Sequence, residues 1–250
     1  MDKELARIQD IAALSARFAP GYKLQQKTAS RSQRALGWFF RVVLKNPGYM
    51  QDFWTTTPDF DGSSTTYRPA KTDAAPEREE FDVIAHEMMH AQQAWRYHTS
   101  KLGLLWAAVR YSVAYLFPQL IGILGVLALP LWFVFLGWWG FFGLVPVATL
   151  APLPAPFRAK REFEAYCVSL AMYFWYQGGF SDDDAKAKID WATGYFDGPA
   201  YYYMVRDAAP IRAGFEAWVV ALRAEAPETK TPYLVACRAL AERYRAEDAA

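Results

Sequence analysis

Apolar residues recur at helical spacing at the start of the chain. Leu5, Ile8, Ile11 and Leu14 stand among Asp2, Lys3, Glu4, Arg7 and Asp10, which predicts an amphipathic helix from Met1 to Phe18. The pattern changes between Asn46 and Pro69, where Thr, Asp, Pro, Gly and aromatic residues disfavour helix and suit short strands and turns, one of them at Thr65, Thr66, Tyr67 and Arg68. Pro76 with Glu77, Glu79 and Glu80 then opens a helix expected to reach about Tyr97, because Pro tolerates the first turn and carboxylates favour the positive end of the helix dipole. Later in the chain, Phe157 to Tyr176 reads as a helix stopped by Gly178 and Gly179. Ser181 is the expected N-cap of a helix from Asp182 to about Tyr195, and two more follow near Pro210 to Ala224 and Pro232 to Ala246. The fold class expected is α+β, mainly helical, with a small N-terminal strand region and a helical C-terminal lobe.

Between these parts the charge disappears. From Tyr111 to Phe157 there is no Asp, Glu, Lys, Arg or His, whereas Lys101 and Arg110 precede the run and Arg158, Lys160 and Arg161 follow it. About 20 apolar residues suffice for a helix to cross a bilayer, so a membrane is the expected solvent for this run. If residues on both sides share a site, the chain must cross an even number of times or dip in and return. Two full spans fit only when the first begins near Leu102 and Arg110 snorkels; a start after Pro118 leaves a re-entrant hairpin. Pro130 is the expected bend, with Trp132, Trp138 and Trp139 at an interface. Cationic residues flank both ends of the run and none marks its tip. The positive-inside tendency then places the protein in a membrane with its active site facing the cytoplasm. The expected organisation is residues 1–100, an inserted hydrophobic hairpin at 101–157, and a C-terminal part at 158–250.

Composition narrows the functional classes. Lys plus Arg is 27 against 26 for Asp plus Glu, so no nucleic-acid partner is expected. The two cysteines, Cys167 and Cys237, are too far apart for ligand spacing and read as unpaired thiols of a reducing compartment. The N-terminus lacks the unbroken apolar core and cleavage site of a secretory signal, which is expected to leave it in the compartment of synthesis.

The chemistry concentrates in His86-Glu87-Met88-Met89-His90, which holds two of the three histidines. Four residues make about one helical turn, so both imidazoles lie on one face and can bind one zinc ion. Glu87 is about 100° around the axis from His86 and can reach a water on the metal without binding the metal itself. It is the expected catalytic base. A catalytic zinc takes a third protein ligand and keeps a fourth position open. Arg96 stands where a metzincin would have its third His, and His98 is poorly placed to reach back. The better candidates lie in Arg161-Glu162-Phe163-Glu164-Ala165-Tyr166. Glu162 and Glu164, two apart on a helix, cannot both face the metal. His98, Tyr166, Tyr201, Tyr202, Tyr203 and Arg206 are candidate donors to an oxyanion.

His-Glu-x-x-His, a hydrophobic segment and then Arg-Glu-x-x-Ala resembles the membrane-embedded gluzincins of the CAAX prenyl protease and heat-shock membrane protease group. The resemblance covers residues 81 to about 170. It implies a zinc metallopeptidase whose third ligand is the Glu of the second motif, here Glu162, with Arg161 and Ala165 matching. The family has an Asp that supports a zinc-binding His where this chain has Tyr166, so such support must come from elsewhere or be absent. The activity expected is endopeptidase cleavage of membrane-associated or unfolded protein substrates. The rivals are a membrane-anchored scaffold with a structural zinc and an effector peptidase whose hairpin inserts only at a target membrane.

Overall fold

The computed structural model describes residues 3–19, 21–42, 48–59, 63–69, 80–95, 101–117, 119–147, 154–198 and 204–249. In chain order the elements are α1 (Lys3–Phe18), β1 (Lys23–Gln26), α2 (Arg31–Val42), α3 (Gly48–Gln51), β2 (Thr55–Pro58), β3 (Ser64–Arg68), α4 (Glu80–Trp95), α5 (Lys101–Leu116), α6 (Gln119–Leu136), α7 (Leu144–Val147), α8 (Pro156–Gln177), α9 (Asp182–Asp197), α10 (Ala209–Arg223) and α11 (Pro232–Ala249). The architecture is mainly helical with one small sheet, as the α+β expectation has it. Two compact units divide the chain: one comprises Met1–Ala108, Glu164–Phe180 and Val219–Ala250, the other Val109–Phe163 and Ser181–Trp218.

The first unit is built around α4. Asp82 and every residue from Ile84 to Ala91 are buried, so the helix is enclosed around its circumference rather than amphipathic. The sheet, in the order β1-β3-β2, covers one side, with β3 parallel to β1 and antiparallel to β2. α1 covers another, turning Arg7, Ile11 and Leu14 inward at helical spacing. Two hydrogen bonds lock neighbouring helices to the α4 backbone: Tyr233 Oη donates to the Ala85 carbonyl at 2.9 Å, and Ser169 Oγ to the Asp82 carbonyl at 3.4 Å. Arg7 is buried yet paired, donating to the Tyr244 carbonyl at 3.2 Å and to Asp248 Oδ1 at 2.8 Å, as a buried guanidinium must be. α8 ends where Gly178 and Gly179 adopt φ of 79° and 117°, which lets their N–H groups reach the Trp175 and Phe174 carbonyls.

In the second unit, Phe163, Phe196 and Phe215 form an aromatic core, with centroids 4.7 Å apart for Phe163–Phe215 and 5.8 Å for Phe196–Phe215. Gly214 makes room for it, since a Cβ there would sit 2.8 Å from the Phe163 ring. Ser181 caps α9 by accepting from the Asp184 N–H, as its sequence position predicts.

The apolar run departs from expectation. Among the described residues no helix is long and apolar enough to cross a membrane. α5 has 16 residues and includes Lys101 and Arg110; α6 has 18 and contains Pro130 within it. At 1.5 Å per residue these lengths are about 24 and 27 Å, below the roughly 30 Å of a bilayer's hydrocarbon core. Nor does Pro130 make the bend. α6 continues to Leu136, the chain turns at Gly137 with φ of 53°, and a 3-10 segment, Gly137–Gly143, folds back along the helix. That return needs Gly140, where a Cβ would lie 2.9 Å from Phe133 Cα. The lengths of α5 and α6 correct the expectation of transmembrane helices and, with it, that of a membrane location with the site facing the cytoplasm.

Candidate metal centre

α4 presents His86 and His90 from one face, as the four-residue spacing requires, with ring centroids 5.0 Å apart. Glu162, on α8, joins them: the ligating atoms of His86, His90 and Glu162 all lie within 4.8 Å of one another. All three side chains are buried, at 5%, 5% and 1% exposure, so their donors face one another with little competing water. Two imidazole nitrogens and a carboxylate oxygen form a donor set that suits a divalent metal ion. The group could hold one.

The rotation of α8 separates the two acidic residues of its first turns. Glu162 turns to the imidazoles, whereas Glu164, about 200° further round the helix, accepts a hydrogen bond from Gln93 Nε2 at 3.1 Å. Gln93 Oε1 in turn lies 3.1 Å from His90 Nδ1. Tyr166, where the resembled family has Asp, makes a T-shaped ring contact with His86 at a centroid distance of 4.6 Å.

Glu87 points to the sheet side of α4. Thr56 Oγ1 donates to its Oε2 at 2.7 Å, and Thr66 Oγ1 lies 2.7 Å from Thr56 Oγ1. The strand register explains the pair, because Thr56 and Thr66 are direct partners in the antiparallel ladder and share a face. Thr56 has a single hydroxyl proton. If it donates to Glu87, Thr66 must be the donor to Thr56, and the chain runs one way towards the carboxylate.

Lys27 is fully buried and donates to the Tyr49 carbonyl at 2.7 Å, with its ammonium 3.8 Å from the Tyr49 ring centroid. Burial pushes its pKa down to about 7, and the Glu87 carboxylate opposes that shift. Burial likewise raises the Tyr49 phenol, whose hydroxyl donates to Gln33 Oε1 at 2.6 Å.

Sequence reasoning does not single out Thr56, Thr66, Gln93 or Lys27 as site residues. Gln93 has a readable signal, since it stands three residues after His90 on the same helical face. The threonines have none, being far from Glu87 along the chain. Of the expected oxyanion donors, Arg206 is exposed, Tyr166 is the ring against His86, and His98, Tyr201, Tyr202 and Tyr203 lie outside the described residues. Compared with known proteins, the chain matches no family model, no curated protein and no solved structure at a significant level.

Proposed function

We propose that the protein is a zinc-dependent endopeptidase of unfolded protein substrates, with His86, His90 and Glu162 holding the metal and Glu87 serving as general base. The observation that carries this reading is the convergence of two buried imidazoles and one buried carboxylate within 4.8 Å. Three protein ligands of this kind are what hydrolytic zinc sites use, with one position kept for solvent or substrate. When bound, zinc polarises a carbonyl and lowers the pKa of a water to about 7.

The chain supplies the proton transfer. With Oε2 of Glu87 engaged by Thr56, its Oε1 is the oxygen that takes the proton of the attacking water and returns it to the leaving amine. The same donor set also suits ferrous iron, but a carboxylate base beside the ligands serves hydrolysis and not oxygen activation. Resemblance of the two motifs to the gluzincins supports the peptide bond as the bond cleaved.

Metal content of the purified chain and cleavage of fluorescently labelled, unfolded casein test the reading together. Glu87→Gln should retain zinc and lose cleavage by about a hundredfold to ten-thousandfold. A wild-type chain that binds no zinc, or a Glu87→Gln variant of full activity, refutes it.

A further inference from the structure

A neutral imidazole binds a metal through the nitrogen that lacks the proton, so a group that holds the proton on the other nitrogen favours the metal-binding tautomer and orients the ring. In the resembled family an Asp provides that support, and here Tyr166 stands in its place. The hydrogen bonds around His90 show an alternative built from different residues.

Glu164 decides the polarity of the arrangement. A carboxylate can only accept, so the Gln93 amide must turn its NH2 to Glu164 Oε2, at 3.1 Å, and its carbonyl oxygen to His90. That oxygen can also only accept. His90 Nδ1, 3.1 Å away, must then carry the ring proton, which leaves the Nε2 lone pair as the donor for the metal. Gln93 is held from both ends: it lies on α4 one turn after His90, and Glu164 lies on α8.

We propose that Gln93, oriented by Glu164, fixes His90 in its Nδ1–H tautomer and presents Nε2 to the metal, so that Gln93 and Glu164 are positioning residues of the metal centre. The proposal rests on the reading of His86, His90 and Glu162 as metal ligands and extends it by two residues. It also gives Glu164 a role at one remove: the two carboxylates of the Arg161–Tyr166 stretch divide the work, one towards the ion and one towards the ligand's support.

Zinc affinity tests this without any assay of turnover. The full chain, stripped of metal, is titrated with Zn2+ in competition with a chelating dye, and with Co2+ to record the visible bands of the bound ion. Gln93→Leu keeps the volume and removes the acceptor, and should weaken zinc by about tenfold to a hundredfold. The exchanged pair Gln93→Glu with Glu164→Gln rebuilds the chain of hydrogen bonds with its charge moved by one link. In it the carboxylate introduced on α4 accepts from His90, and the amide introduced on α8 donates to that carboxylate. The pair should bind zinc close to wild type and restore the wild-type Co2+ spectrum, which Gln93→Leu, of similar volume but without the acceptor, should not. If Gln93→Leu binds as tightly as wild type, or the exchanged pair binds as weakly as Gln93→Leu, the proposal is overturned; should Gln93→Leu fail to fold, the exchanged pair decides by its zinc affinity relative to wild type. Absence of zinc binding by the wild-type chain would instead reject the metal centre itself, and this inference with it.

Discussion

Thr56→Val removes one hydroxyl from the site and little else, since valine has the same shape and favours strands. Two effects follow from the geometry. Thr66 loses its acceptor, and the Glu87 carboxylate, only 7% exposed, loses a donor at 2.7 Å. A hydrogen bond to a charged group contributes about 1.5–3 kcal/mol, a neutral one about 0.5–1.5 kcal/mol. In the Glu87→Gln background the same threonine faces a neutral amide oxygen, so its loss should cost about 1 kcal/mol less. The cost at Thr66 is common to both backgrounds and cancels in the difference. Urea unfolding of the four chains, wild type, each single variant and the double variant, in the presence of a chelator, measures this coupling apart from metal and turnover. Equal costs of Thr56→Val in the two backgrounds would refute the hydrogen bond to the carboxylate, and with it the assignment of Oε1 as the proton-accepting oxygen.

Two further outcomes follow from buried titratable groups. Because Lys27 has its pKa lowered from 10.5 to about 7, the unfolded chain binds more protons than the folded one between those values, so its contribution to stability should rise with pH from about 7 upwards. The unfolding free energy of wild type relative to Lys27→Met should therefore increase between about pH 7 and 10, and a flat or falling difference would contradict the burial of the amine. Burial also raises both thiols, Cys237 to about 12 and Cys167 well above its usual value, as free cysteines enclosed in the core. A disulfide reagent at about pH 8 should count no thiols in the native protein and both in urea; rapid native labelling would show that one of them is accessible.

Much of the helical framework was legible because its signals are local. Ser181 caps α9, Gly178 and Gly179 stop α8, and Pro232 opens α11, each acting within one turn of its own position. β3 falls at Ser64–Arg68, one residue longer than the expected strand. β2, at Thr55–Pro58, falls within the stretch expected to form short strands, whereas β1 carries no such signal. β1 has only four residues, three of them exposed, and gains its ladder from β3, about forty residues away. Strand pairing is a property of the partner as much as of the strand.

For the site the same division holds. The chain alone determined that His86 and His90 share a face and that Glu87 is turned aside from them, because the geometry of a single helix contains that answer. It also narrowed the third donor to Glu162 or Glu164, which cannot face the same way. Which of the two meets the imidazoles depends on how α8 is rotated against α4, and only the tertiary packing sets that, through Ser169 on the Asp82 carbonyl and Gln93 on Glu164. Tertiary structure likewise brought Thr56 to Glu87 across the sheet and turned the apolar run back at Gly137, short of the length that its composition suggested. Composition reports how oily a segment is; where a helix stops depends on backbone torsions and close contacts such as Gly140 on Phe133, which hydropathy does not encode.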